Sequence, residues 1–492
     1  MRRFRFIGFL IFITLQLATL VKAQEHAPLR VFTLKQVVSL AKSQSSSYRY
    51  ASVLLENKTW QYKNYKSNFL PQLNLNGTLP EFNKTIEPRL TDKGSLTFIN
   101  THNANSSLQL SLGQELGFTG GHISINSQIK RIDDFQVAAN GTRYSSIPYT
   151  VTYNQPFFGY RWLSWEKKIQ PLKYEEAKRE YLERMEIISE EASTHFFNLL
   201  LSQISFQIAK KNVINSDTLY KVSLKRFNEG KMPENELLQM ELTLLNARQN
   251  LEQVALDVEG STLRLKVYIG LVDDEPMHLV PPTEIPKFDV NEKVALEQAH
   301  KNRQRMIGFQ RELLEAEQNL ARAKGETGVR ANLFASFGLT QQSLQFAQVY
   351  DDPSAQQRVH LGFNIPIMDW GRTAGRLGTA KANQELVKTN VEQQRINFDQ
   401  DIYLNVKMFR VLRDQMEIAR RSDEIADKRY IITKERYLKG GISLVDLNIA
   451  TEERDKATKS YISALNKYWH AYYHIRRITL YDFELDEPLM GI

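Results

Sequence analysis

Two periodicities divide this chain. Leu404, Val411, Ile418, Ile425 and Ile432 recur every seven residues, and a second seam runs Phe409, Met416, Tyr430 and Tyr437, with Asp423 the exception. Between Trp370 and Leu438 there is no proline, and the last glycine is Gly378. A seven-residue period on an unbroken stretch predicts a long helix that supercoils left-handedly against its neighbours. Two seams on one helix call for partners on both sides, as in the wall of a tube. At 1.5 Å per residue, about 65 residues span roughly 100 Å, more than a compact domain needs. The N-terminal half carries the second seam again as Leu199, Phe206, Val213, Tyr220 and Phe227.

Each long helix should end at a tight reversal. Gly440-Gly441 supplies a left-handed stop, and Ser443 three residues before Asp446 forms a capping box for a returning helix. In the first half Gly230 stops the helix, and Pro233 restarts the chain ahead of Glu236. The hairpins are expected over about 160–271 and 371–480, with tips near 230 and 440.

Other segments alternate with period two. Leu73 and Leu75 open one strand; Leu108, Leu110 and Leu112, a Gly120-Gly121 turn, then Ile123, Ile125 and Ile129 form a hairpin. Ile147, Tyr149, Val151 and Tyr153 supply another strand, as do Leu333 to Leu339 and Val359 to Ile367. Strands are expected within about 69–157 and 331–367, each near the ten residues that a tilted membrane strand requires. Half-buried strands of a soluble sheet alternate in the same way. Aromatic residues crowd the strand-to-helix junctions, Phe157, Phe158, Tyr160, Trp162 and Trp165 after one and Trp370 after the other. Such residues favour the level where lipid tails meet headgroups, and they also serve ordinary helix-to-sheet packing.

The chain is written twice. Tyr220, Arg226, Phe227, Gly230 and Glu236 fall, 210 positions later, on Tyr430, Arg436, Tyr437, Gly440 and Asp446. Pro156 falls on Pro366 in the same way. Upstream the offset grows to about 260, so the first copy holds an insertion, placed at 81–147. The expected boundaries are a signal segment at 1–23, a first repeat at 24–280 and a second at 281–492, with a proline-rich, acidic linker from Asp273 to Pro286.

Composition narrows the functional classes. The 492 residues contain no cysteine, which excludes disulfides, thiolate metal sites and cysteine nucleophiles. The formal charge of +8 invites a nucleic-acid reading. Residues 1–23, however, carry Arg2, Arg3 and Arg5 before an apolar run and end in Val21-Lys22-Ala23, the pattern of a secretory signal. Its removal takes four positive charges and no negative ones, leaving a nearly balanced chain. No nucleic-acid partner is expected. Nothing converges into a catalytic constellation either. His470 and His474 lie one turn apart among aromatic residues, but no Glu follows His470 as a zinc-protease motif would need. Gly325 to Gly328 lacks the phosphate-loop lysine and reads as a helix end; Gly117 to Gly121 reads as a turn. We expect no enzyme, no cofactor and no metal.

The ordered set of features resembles the TolC-like outer-membrane efflux proteins. It rests on the duplication, on Leu70-Pro71-Gln72-Leu73, on the exits Gln155-Pro156-Phe157-Phe158-Gly159 and Ile365-Pro366-Ile367, and on the reversals Arg226 to Gly230 and Arg436 to Gly440. The resemblance implies a mainly helical, mixed fold. Long antiparallel coiled-coil hairpins would form a trimeric α-barrel, topped by a shared twelve-stranded transmembrane β-barrel with four strands from each chain. It further implies an exit duct in the outer membrane of a Gram-negative bacterium, passively serving a tripartite efflux or type I secretion system. Its partners would be two further copies, outer-membrane lipid, a periplasmic membrane-fusion adaptor and an inner-membrane pump of RND or ABC type. By the same resemblance Arg226, Gly230, Arg436 and Gly440 would present the adaptor-docking tips, and Glu236, Tyr437 and Asp446 the periplasmic gate. The family's second acidic ring position is Ile449 here, and a basic gate partner is replaced by Ile442. The competing reading is a soluble periplasmic coiled-coil protein, such as an adaptor.

Overall fold

The computed structural model describes residues 30–90, 94–136, 141–271, 275–286, 288–438 and 441–489. The expected signal segment lies outside them. In chain order the elements are β1 (Arg30–Phe32), α1 (Leu34–Gln44), α2 (Ser46–Ser67), β2 (Gln72–Leu90), β3 (Leu96–Leu116), β4 (Gly121–Asp134) and β5 (Thr142–Phe157). There follow α3 (Trp162–Asn228), α4 (Glu234–Ile269), β6 (Met277–Leu279), α5 (Glu292–Asn302), α6 (Gln304–Thr327), β7 (Arg330–Ser343), β8 (Ser354–Asn364), α7 (Arg372–Leu438), α8 (Leu444–Thr479) and the short β9 (Tyr481–Asp482) and β10 (Glu487–Pro488).

The two long helices α3 and α7 are each 67 residues, and the two return helices α4 and α8 are each 36. Their boundaries stand at the 210-residue offset already visible in the sequence. Gly325 and Thr327 close α6, and residues 117–120 form the β3–β4 turn, as expected of both glycine clusters. The proline-rich stretch departs from a plain linker: Met277–Leu279 pairs in parallel with Arg30–Phe32.

The chain divides into two compact units, and each draws segments from both halves of the sequence. Among the described residues one comprises those within 30–53, 180–303 and 399–489; the other comprises those within 54–179 and 304–398.

The first unit is a row of helices. Ser202 of α3 meets Ser261 of α4 at 3.1 Å, and the Tyr268 hydroxyl of α4 donates to Glu191 of α3 at 2.9 Å. On its other side α3 meets α8, where Asn212 donates to Asp455 at 2.8 Å. In turn α8 meets α7 through Thr458 and Asp423 at 2.6 Å. The order is therefore α4–α3–α8–α7, with α4 and α7 at the edges. Its inner pair buries Phe196, Phe197, Leu199 and Leu200 of α3 and Leu465 and Tyr468 of α8, and the Tyr468 ring lies 5.6 Å from that of Phe409 of α7. Burial of such side chains stabilises by about 1.5–3 kcal/mol each.

The second unit is built on one antiparallel sheet in the order β2-β3-β4-β5-β7-β8. Six strands stand where the family resemblance implied four per chain. The insertion is the reason: it extends one strand pair and adds another, and five antiparallel ladders join the six strands, with register shifts at Thr78/Glu81, Asn126/Gln128 and Ser146/Thr150. The strands also exceed the expected ten residues, reaching 19 in β2 and 21 in β3. The β2–β3 ladder continues to Leu90 and Leu96, whereas β3 pairs with β4 only from Asn103 to Leu116. A two-stranded ribbon therefore projects past the sheet. At the other end β8 stops at Asn364, short of the expected Ile367, because Pro366 has no N–H to continue a ladder.

Candidate functional site: the two-faced sheet, the helix edges and the tips

Residues paired across an antiparallel ladder share a face, so the registers assign every side chain of the sheet to a side. Leu73 faces with Leu112, Ile125, Val151 and Phe337. Leu75 faces with Leu110, and Leu333 with Leu361; Ala335 with Val359 and Ala331 with Phe363 complete the same side. The opposite side carries Asn74, Ser111, Asn126 and Thr150, then Ser124, Thr152, Ser336 and Arg358. There Ser111 donates to Asn126 at 2.6 Å, and Asn126 donates to Ser124 at 3.1 Å.

One face is thus mainly apolar and the other mainly polar; Gln114, Gln155 and Gln357 interrupt the first, and Phe334 the second. Among the described residues much of the apolar one is uncovered: Leu73, Leu75, Leu108, Leu110, Leu112, Ile125, Phe337, Val359, Leu361 and Phe363 are all exposed. Isolated exposed leucines need no explanation, but a contiguous apolar face of this kind marks contact with protein or lipid. Beside its helix-connected rim, Phe118, Phe158, Trp162, Ile367, Met368 and Trp370 are exposed too. Exposed Trp and Phe at one rim fit the interfacial girdle of a membrane barrel. Among the described residues no helix is long and apolar enough to cross a membrane.

The edge helices repeat the theme. The α7 seam Leu404, Val411, Ile418, Ile425 and Ile432 is 48–66% exposed, while Phe409 and Met416 of its second seam are 2% exposed. On the other edge α4 exposes Leu238, Leu242, Leu245, Leu256 and Leu263. Sequence reading passed over this second stripe, although its spacings of four, three, eleven and seven, all helical, carried the signal.

The tips reverse by the local chemistry expected of them. At the first, Lys231 N–H donates to Arg226 C=O at 2.9 Å and Gly230 N–H to Phe227 C=O at 2.8 Å, with Gly230 at φ +70°. These two bonds define a Schellman stop. At the second, Gly441 N–H donates to Arg436 C=O at 2.9 Å, the same bond 210 positions on. Gly440 lies outside the described residues. Both arginine side chains are exposed. A Cβ at Gly230 would meet nothing within 4 Å, so the position is open as well as strained for other residues.

The expected gate residues are dispersed within the single chain. Asp446 is exposed and completes a capping box: its backbone N–H donates to the Ser443 hydroxyl at 3.2 Å, and that hydroxyl donates to its carboxylate at 2.7 Å. Glu236 is exposed in the first turn of α4, where its carboxylate is favoured by the helix dipole. Tyr437 is half-buried. Among the described residues, Tyr437 and Glu236 make no hydrogen bond with each other.

A buried ion cluster in the helical unit was not anticipated. Glu186 of α3 accepts from Lys42 at 2.8 Å and from Arg476 at 3.0 Å, and Arg476 also pairs with Asp482. One turn on, Glu190 meets His470 at 3.0 Å, His474 at 3.2 Å and Arg477 at 3.3 Å. Burial pushes the Glu190 carboxyl up, but the His474 hydrogen bond and the charges of Arg477, His474 and His470 outweigh it and hold it below the usual range. The two histidines therefore serve a carboxylate on a packed helix face. Among the described residues no group of three or more ligating side chains is arranged to hold a metal.

Comparison with known proteins agrees with this geometry. Residues 304–479 match the family described as Outer membrane efflux protein. Among solved structures, the Campylobacter jejuni CmeC outer membrane channel is similar at 16% identity and a TM-score of 0.65, covering 93% of this chain and 87% of that one. CusC, described with conformational changes accompanying folding and transmembrane channel formation, matches at 16% identity and TM-score 0.61, over 91% of each chain. The outer membrane protein VceC from Vibrio cholerae matches at 13% identity and TM-score 0.62, over 93% of this chain and 97% of that one. No curated protein matches the chain by sequence. The resemblance read from the repeats and reversals is thereby borne out.

Proposed function

We propose that this chain is one subunit of a trimeric exit duct through the outer membrane, serving an efflux or secretion system passively. One observation carries the reading: a sheet with an uncovered apolar face and a polar opposite face. In lipid every backbone group must be paired, so a sheet can span only as a closed barrel, apolar outside and polar within. Two further observations support assembly. The sheet ends in the unpaired edges β2 and β8, and the helical row ends in the apolar stripes of α4 and α7. Copies arranged head to tail around an axis would cover both pairs of edges at once. The matching lengths of the helices and their common offset support an origin by tandem duplication, with coiled-coil packing along the seven-residue seams.

In this reading the polar face of the sheet lines the conduit, and no chemistry is performed on the cargo. Arg226, Gly230, Arg436 and Gly440 form the surface that meets a periplasmic adaptor, and through it an inner-membrane pump. Glu236, Tyr437 and Asp446 ring the entrance, where carboxylates at helix N-termini can face a lumen while they cap.

Lysine substitution of the two sheet faces tests the central claim. Leu110→Lys with Leu361→Lys should prevent recovery in outer membranes, since a lysine at the lipid midplane costs about 2–4 kcal/mol. Thr152→Lys, on the polar face, should insert normally. Equal behaviour of the two variants, or a wild-type chain found in the soluble periplasm, would sink the reading. At the tips, Gly230→Glu and Gly440→Glu should abolish export while membrane insertion persists.

A further inference from the structure

The six-stranded sheet changes the arithmetic of the pore. We infer that each chain inserts all six strands and that neighbouring chains join β8 to β2, so that a threefold duct is closed by eighteen strands rather than twelve. The inference rests on the duct reading above and names its interaction surface and its occupant, a second copy of this chain.

Four features argue for the seam. Every ladder in the sheet is antiparallel, and six is even, so β8 of one chain runs opposite to β2 of the next, as closure needs. The helix-connected ends also agree: Gln72 opens β2 just after α2, and Asn364 ends β8 just before α7. Setting those ends opposite each other places Phe363 by Leu73, Leu361 by Leu75 and Val359 by Gly77. All of these lie on the apolar face, so its band continues unbroken across the joint. Pairing also has a natural limit. Pro80, with no N–H to donate, lies in the bulge between Thr78 and Glu81, and beyond it β2 runs on into the projecting ribbon.

The insertion argues against a four-stranded contribution. The β3–β4 ladder is uninterrupted from Asn103 to Leu116, and β3 carries the apolar face through Leu108, Leu110 and Leu112. Peeling β2 and β3 away would leave that ladder unpaired in lipid, where each orphaned group costs several kcal/mol. Because barrel diameter grows roughly linearly with strand number, eighteen strands give a lumen about 1.5 times as wide as twelve, in the range that leaves an open aqueous channel.

The absence of cysteine gives a clean background for the test. Leu75→Cys with Leu361→Cys, in the full-length chain oxidised in outer membranes, should yield covalent trimers on a denaturing gel. Reduction should return them to single chains, and each single variant should stay monomeric. Leu73→Cys and Gly77→Cys, each with Leu361→Cys, cover a two-residue slip of register. If β4 is instead the edge that meets the neighbour, Ile125→Cys with Leu361→Cys will cross-link, and the eighteen-strand seam is overturned. It is equally overturned if inserted trimers form no link at any β2 position. Polymer exclusion from the external side of planar bilayers gives a second readout, with an expected cut-off diameter about 1.5-fold that of a twelve-stranded duct. Failure of the wild-type chain to enter outer membranes would count against the duct itself and is separable from these outcomes.

Discussion

The sheet and the helical row are both unfinished at two edges, but they lack different things. At β2 and β8 the missing partner is directional: backbone N–H and C=O groups that accept only another strand in register. At α4 and α7 it is greasy area, Leu238 to Leu263 on one side and Leu404 to Ile432 on the other, which any well-shaped apolar surface could cover. In the proposed trimer a directional edge would set which chain sits beside which and at what height, and an apolar edge would add association free energy in proportion to the area it buries. The inner helices α3 and α8 have neighbours on both sides within the chain, and their Phe196, Leu199, Leu465 and Tyr468 are buried there.

That contrast can be broken at its strongest point first. Ile418→Lys with Ile425→Lys puts two charges on the exposed α7 seam, and analytical ultracentrifugation in detergent should find the proposed trimer lost while the helical content of the chain persists. The corresponding change inside the row acts on the chain itself. Arg476→Met leaves Glu186 and Asp482 buried without their shared cation, with an expected destabilisation of about 3–5 kcal/mol in denaturant unfolding. A smaller loss is expected from Gly230→Ala, about 1 kcal/mol, since φ +70° suits glycine and the site is otherwise open.

The smallest effect is one of pH. The folded Glu190 carboxyl titrates below its unfolded value, so its contribution is present above the ordinary carboxylate range and is lost as pH falls through the lowered folded value. Thermal unfolding followed from neutral to acid pH should show this loss, and Glu190→Gln should flatten that part of the curve. An unchanged profile in the variant would assign the acid sensitivity to other carboxylates.

Much of the architecture was legible before any coordinates. Seven-residue seams, a proline-free stretch and glycine stops are local signals, and they placed α3, α4, α7 and α8 within a few residues. The tip chemistry was equally local: the bond from the 441 amide to Arg436 and the Ser443–Asp446 box follow from residues at most five apart. The strand count was different. Each of the six segments alternates visibly, but alternation cannot say which segments share one sheet, and the family resemblance pointed to four. Nor could it distinguish seams: the stripe of α7 that is aliphatic throughout is the exposed one, while Phe409 and Met416 of the stripe interrupted by Asp423 are buried.

What the sequence alone determined is therefore whatever depends on neighbours along the chain: helix length, reversal, capping and the two-faced character of each strand. The joining of six strands, the order α4–α3–α8–α7 and the meeting of Glu186 and Glu190 with residues nearly 300 positions away were decided only by tertiary structure. The physical reason is that propensity and capping act within a turn or two. Sheet membership, and the side of a helix that stays bare, are set by competition among distant segments for the same surface.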